Sequence, residues 1–308
     1  METKENILNS FLNYLRYERQ YSKHTILAYS KDVNNLNSFV LLRYGFLPLS
    51  GELEINKVTP EIIRAWFSGL KTSAPTKKRM ICGVRAFFNH LIKINIVRHN
   101  PVVKIKLQKQ KRRLPQFLSQ DEVKNVFLSL SQDEYDFNSI RNRCVIELLY
   151  GCGLRCSELC NLTFQNVDLE SRILRVLGKG NKTRLIPFTA IVENILNDYY
   201  LACKRENLDI KQGFLLKKIN GNRFNNQSVY ILVNKIMQLF PRLKQKSPHI
   251  LRHSYATHLI ENGAELTTVS SLLGHSSIIS TQTYLHTSIR KLKDIYSVAH
   301  PSALRQKQ

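Results

Sequence analysis

The sequence predicts a mainly α-helical chain with one small β-sheet, divided into two domains. Three observations predict it. Apolar residues recur at helical spacing through most of the 308 residues. One short segment reads instead as two strands around a glycine-rich turn. A run of basic residues with neither periodicity separates two helical regions. The length is enough for two cores, and a balance of 43% hydrophobic and 22% charged residues is that of a folding chain and excludes wholesale disorder.

The elements follow in order. Ile7, Phe11, Leu12 and Leu15 share one helical face, and Ile26, Tyr29, Val33, Leu36 and Val40 share another. Thr59 followed by Pro60 supplies an N-cap and a first-turn proline for a third helix through Trp66 and Phe67. A fourth aligns Met80, Val84, Phe87, Phe88 and Leu91, with Lys77, Lys78, Arg79 and Arg85 on its other faces, so the expected N-terminal domain (1–104) is helical with a basic surface. Six basic residues between Lys104 and Arg113, closed by Pro115, form an expected extended linker over 105–116. Ser119 and Glu122 then make a capping box, flanked by Leu118 and Val123 at the hydrophobic-staple positions, and open the second domain (117–308). Residues 172–177 and 183–188 read as two strands joined by Gly178-Lys179-Gly180-Asn181-Lys182. Ser247-Pro248 starts a helix that Gly263 ends, and Gly274 closes the next.

Charge narrows the partner. Forty-six Lys and Arg stand against 23 Asp and Glu, a formal charge of +23, which favours a polyanion, with nucleic acid first. A basic protein kept soluble by self-repulsion, or one bound to acidic membrane, is the competing reading. Residues 1–116 carry 21 basic and 7 acidic side chains and residues 117–308 carry 25 and 16. Both regions are basic, so a ligand gripped from two sides fits better than one tail on a neutral body. No stretch approaches the ~20 apolar residues of a membrane span, and the opening METKENILNS lacks a secretory pattern. A cytoplasmic location without membrane contact is expected. Cys82, Cys144, Cys152, Cys156, Cys160 and Cys203 are expected as reduced thiols. Cys152, Cys156 and Cys160 recur every four residues, but no nearby His or Cys pair completes a zinc set, and no metal is expected.

Five segments of the second domain carry chemistry: GCGLRCSEL (151–159), GKGNKTR (178–184), HILRHSYATH (249–258), LLGHSS (272–277) and TQTYLH (281–286). Each alone has an ordinary explanation. An arginine in a turn is usually a surface residue, a lysine in a hairpin is usually solvated, and a lone tyrosine is more often half-buried packing. Together and in this order they resemble the tyrosine recombinase (phage integrase) family, and most closely its Xer branch. The Gly-Leu-Arg-x-Ser-Glu-Leu stretch at Gly153 to Leu159 implies the first catalytic arginine at Arg155. The hairpin lysine falls on Lys179, the His-x-x-Arg motif on His249 and Arg252, the Leu-Gly-His motif on His275, and the nucleophile on Tyr284. The resemblance covers nearly the whole chain. It implies an N-terminal SAM-like helical core-binding domain and a C-terminal α+β catalytic domain, forming a C-shaped DNA clamp. The three cysteines around Arg155 are the one compositional departure, and they suggest sensitivity to oxidation.

The residue types suit phosphoryl transfer. A phosphodiester repels nucleophiles, and in-line attack places more charge on its nonbridging oxygens. Arginine stays charged and offers a planar fork to those oxygens, which fits Arg155 and Arg252. Arg155 also lies near a helix start, where backbone N–H groups favour an anion. Forming tyrosyl phenolate at pH 7 from a pKa of ~10 costs about 4 kcal/mol. The resemblance implies that His249 accepts that proton, that Lys179 protonates the departing 5′ oxygen, and that His275 adds a donor. The product is a 3′-phosphotyrosyl link and a free 5′ hydroxyl, with no ATP or other cofactor.

The resemblance further implies a specific double-stranded DNA site, a homo- or hetero-tetramer with another recombinase, and activation by a division-associated DNA translocase. Residues 288–298 (SIRKLKDIYSV) offer an apolar face for exchange with a neighbouring subunit or for packing on their own domain. The activity expected is Xer-type resolution of chromosome or plasmid dimers, serving chromosome partition at cell division. An integrase or invertase of a mobile element would use the same residues, and an inactive architectural DNA-binding protein would share the charge and fold. The filled catalytic set argues against the last.

Overall fold

The computed structural model describes residues 7–103, 105, 116–130, 135–178, 183–209 and 212–274. The chain divides into two compact units, Met1–Arg113 and Leu114–Gln308. The linker expected over 105–116 falls almost wholly outside the described residues, as do Lys179, His275, Tyr284 and residues 288–298.

In the N-terminal unit, α1 (Ile7–Asn13) runs into a π-helical stretch, Tyr14–Glu18, where the sequence pattern read one continuous helix. Then come α2 (Lys23–Tyr44), the short α3 (Glu52–Asn56), α4 (Pro60–Gly69) and α5 (Ala74–Lys93). The caps act as expected: Thr59 accepts from the Ile62 N–H at 3.5 Å, with Pro60 in the first turn. Phe11, Val33, Val40, Ile63, Trp66, Phe87 and Phe88 are buried in a common core, while Leu12, Tyr29 and Phe67 sit half-buried at its edge. Phe11 meets Phe87 edge-on with centroids 5.3 Å apart. Trp66 Nε1 donates to Asn35 Oδ1 at 2.8 Å, so the indole is satisfied where it is buried. Arg79 lies on the expected exposed basic face and also makes an ion pair. Its guanidinium holds the buried Asp32 carboxylate through two bonds of 2.6 and 2.7 Å, tying α5 to α2.

The C-terminal unit contains α6 (Gln120–Leu130), α7 (Phe137–Gly151), α8 (Cys156–Asn161), a sheet, and α9 (Ala190–Arg205), α10 (Asn226–Met237), α11 (Pro248–Glu261) and α12 (Leu266–Leu273). Helix α7 is the centre. Cys144 to Tyr150 are buried without a break, Glu147 among them, because α9 and α11 pack on it, and a helix covered on several sides carries apolar residues beyond a single stripe. The capping box of α6 forms as read, with Ser119 N–H on Glu122 at 2.8 Å and Glu122 N–H on the Ser119 hydroxyl at 3.2 Å. The sheet is antiparallel in the order β1 (Val167–Asp168), β2 (Ile173–Leu177), β3 (Thr183–Pro187). The expected strand pair is β2 and β3, registered from Ile173 opposite Pro187 to Leu177 opposite Thr183. Leu174, Val176 and Ile186 bury one face of it.

Candidate active site

The site is built where α7 ends. Gly153 turns the chain with φ +58°, and the Tyr255 ring of α11 lies where a side chain would begin: a Cβ at 153 would stand 2.5 Å from it. Only glycine satisfies both conditions. The turn brings Arg155 to the N-cap of α8, whose third residue is Glu158. The Arg155 backbone N–H donates to Glu158 Oε2 at 2.8 Å and its guanidinium to Oε1 at 2.7 Å. The expected anion-accepting helix start is therefore taken by the chain's own carboxylate, on a helix of six residues. The Arg155 side chain remains 31% exposed and keeps a route to solvent.

Helix α11 supplies the second arginine. Ser247 precedes Pro248 in its first turn, His249 follows on the exposed side, and Arg252 lies one turn later with 6% exposure. His249 and Arg252 share the turn but not the environment. Arg252 donates to the Gly153 carbonyl at 2.5 Å and to the Leu273 carbonyl, and lies 3.7 Å from Glu158. Burial and the charge of Arg155 pull its pKa down to about 10, with Arg184 adding to the effect and Glu158 opposing it. It is still a cation at neutral pH.

Arg184 of β3 completes the group. It grips both oxygens of Glu158 at 2.8 Å each and donates through Nε to the Leu272 carbonyl at 2.8 Å. Burial alone would raise the Glu158 pKa. The bonds and charge of Arg184, with those from Arg155, outweigh it and hold the carboxyl at about 2. The three arginines also divide the end of α12: Leu272 O takes Arg184, Leu273 O takes Arg252, and Gly274 O takes Arg155 at 3.2 Å. Carbonyls at a helix C-terminus suit cations. Gly274 closes α12 with φ +63°, as its sequence position implied, and a Cβ there would lie 3.1 Å from the Arg184 side chain.

Three guanidinium groups around one carboxylate leave a surplus of positive charge in a largely buried setting. Such a surplus is costly without a counter-ion, so the group can receive a phosphate. Of the expected site residues, Arg155, His249 and Arg252 fall within the described part of the chain; Lys179, His275 and Tyr284 lie outside it. Glu158 and Arg184 are additions to the set. Glu158 had a signal in the sequence, three residues after Arg155 at the N3 position. Arg184 had none, because its partner is 26 residues away. The three cysteines expected to confer oxidation sensitivity are buried: Cys152, Cys156 and Cys160 are 0%, 8% and 2% exposed, burial pushes the Cys152 thiol pKa up, and the hydrogen bond with Cys156 pulls that of Cys160 down. Among the described residues no group of His, Cys, Asp or Glu could hold a metal ion, and no helix is long and apolar enough to cross a membrane.

Comparison with known proteins bears on this geometry. Residues 116–290 match the phage integrase family, and residues 8–95 match the phage integrase N-terminal SAM-like domain. The chain is 35% identical to a tyrosine recombinase XerC of Staphylococcus carnosus, over 98% of this chain and 99% of the relative. It is 33% identical to one of Listeria innocua, over 95% and 97%. Among solved structures, XerH site-specific recombinase bound to difH substrate in a pre-cleavage complex is similar at TM-score 0.65 and 20% identity, covering 96% of this chain and 98% of that one. The Tn1549 transposon integrase in complex with circular intermediate DNA is similar at TM-score 0.61 and 20% identity, covering 98% of each. These two likenesses concern the fold; the sequence identities extend over both units. The chain belongs to the phage integrase family of tyrosine recombinases, enzymes that cut and rejoin DNA.

Proposed function

We propose that this recombinase resolves chromosome or plasmid dimers by cutting and rejoining duplex DNA at a specific site, with Tyr284 as nucleophile. The observation that carries the chemistry is the pair Arg155 and Arg252, fixed about Glu158 with positive charge to spare. The Tyr284 oxygen attacks phosphorus and the bond to the 5′ oxygen breaks. The phenol proton passes to His249, and Lys179 gives a proton to the departing oxygen. Arg155 and Arg252 hold the nonbridging oxygens, with His275 as a further donor. The phosphotyrosyl link keeps the bond energy, so a 5′ hydroxyl from another strand can reverse the reaction without ATP.

The Xer-type role rests on relatives named XerC at 31–35% identity over nearly the whole chain. The matching partners are double-stranded DNA, a tetramer formed with itself or a second recombinase, and a division-associated translocase, all acting in the cytoplasm. The test is a covalent adduct. A duplex selected from a randomised pool by SDS-resistant adduct formation with the wild-type chain serves as substrate. Tyr284→Phe should bind it with wild-type affinity and form no adduct. An adduct at the wild-type level would move the nucleophile elsewhere, and a pool that yields no adduct with the wild-type chain would overturn the proposal.

A further inference from the structure

We infer that Arg184 is a positioning residue for strand cleavage, orienting Arg155 through Glu158 and fixing the end of α12 against both site arginines. This rests on the roles proposed above for Arg155 and Arg252. Arg184 belongs to the segment 178–184, of which Lys179 alone was given a chemical role.

The geometry gives Arg184 three bonds that no shorter or rounder cation could make together. Nη1 and Nη2 take the two Glu158 oxygens and Nε takes the Leu272 carbonyl, each at 2.8 Å. Its side chain is only 12% exposed, so these bonds are made away from competing water. The consequence for Arg155 is direct. Glu158 Oε1 receives both Arg184 and Arg155, and Oε2 receives Arg184 and the Arg155 backbone N–H. A carboxylate clamped on both oxygens cannot rotate, so the guanidinium leaning on it is held to one direction. Arg155, at 31% exposure, is otherwise the least confined of the three arginines. The consequence for Arg252 comes through α12. Arg184 and Arg252 bind successive carbonyls, Leu272 and Leu273, and Arg155 takes the next, at Gly274. The missing side chain at Gly274 leaves the room that the Arg184 stem fills.

Arg184 is thus a strand residue that ties β3, α8 and the end of α12 into one unit. Its Nε and both Nη groups are engaged by Leu272 and Glu158, which makes it a support of the reacting groups and not one of them. Preorganised donors act only when held in place, and a displacement of about 1 Å can cost on the order of a hundredfold in rate.

Lysine keeps the charge of Arg184 but has no planar fork, so R184K is the deciding variant. Single-turnover cleavage at saturating duplex should fall roughly tenfold or more, with the dissociation constant within roughly twofold of wild type. A second substrate separates positioning from general loosening. Replacing one nonbridging oxygen at the scissile phosphate by methyl removes the charge that Arg155 and Arg252 must meet. On that methylphosphonate the deficit of R184K should shrink to within roughly threefold, because misplaced arginines matter less there. R184Q, read at a temperature where circular dichroism shows it folded, supplies the same comparison if R184K melts early. Cleavage by R184K within roughly threefold of wild type on the ordinary duplex, or an equal deficit on both substrates, would overturn the inference. A wild-type chain that forms no adduct would instead overturn the proposed function, so the two failures are distinguishable.

Discussion

Glu158 is one buried carboxylate serving three cations, and its titration reports the integrity of the cluster. Its pKa in the folded chain is held at about 2, against an ordinary 4.5. A depressed acid contributes stability that is complete above the unfolded value and is lost as pH falls through the folded one. The window is therefore about pH 4.5 down to about pH 2. Glu158→Gln removes that titration and leaves the arginines without their anion. At neutral pH it should cost about 3 kcal/mol or more, since breaking a buried pair strands the remaining charge. Denaturant unfolding of both proteins at several pH values from 6 to 2 checks this. The wild-type advantage should shrink steadily across the window, and an advantage that stays constant to pH 2 would mean that Glu158 is not charged in the folded cluster.

Leu177 pairs with Thr183, so Lys179 and Lys182 both fall in the five residues between the last paired rungs. Family resemblance selects Lys179 as the acid. A general acid is needed only when the leaving group is poor, so replacing the bridging 5′ oxygen by sulfur removes the need. Lys179→Ala should cleave the oxygen substrate very slowly and regain most of its rate on the sulfur substrate. Lys182→Ala should need no rescue. The opposite pattern would shift the acid three residues along. Legibility varies in the same way across the other elements. The long helices were readable because a buried stripe, a cap and a terminal glycine each leave a residue pattern, as in α4, α6 and α11. Among the features not read were the central α7, the π-helical stretch at Tyr14–Glu18, the five-residue α3 and the two-residue β1. The last three are too short to show a period, and the burial of α7 from Cys144 to Tyr150 leaves it without a single apolar stripe. In the site, Arg155, His249 and Arg252 were legible as motif members. That Arg252 is buried while His249 is exposed, and that Glu158 joins Arg184, depends on contacts between elements distant in sequence.

Across the whole chain, charge is spread over both units, with surpluses on either side of residue 116. A polyanion that met only one of them would leave the other as a self-repelling surface, with no gain in affinity from it. If both meet DNA, each phosphate neutralised releases a condensed counter-ion, and log K falls against log salt with a slope of about −0.9 per phosphate. Titrating the full chain onto the adduct-selected duplex between roughly 50 and 200 mM salt should give a slope corresponding to about six or more phosphates, a loss on the order of a thousandfold in affinity. Lys78, exposed on α5 of the N-terminal unit, tests the contribution of that side. Lys78→Ala should weaken binding to the selected duplex and to an unrelated one by a similar factor, and lower the slope by about one. A phosphate contact acts on every sequence alike, whereas loss confined to the selected duplex would assign Lys78 to base recognition. A slope near zero for the wild-type chain would mean that the surplus charge serves something other than DNA.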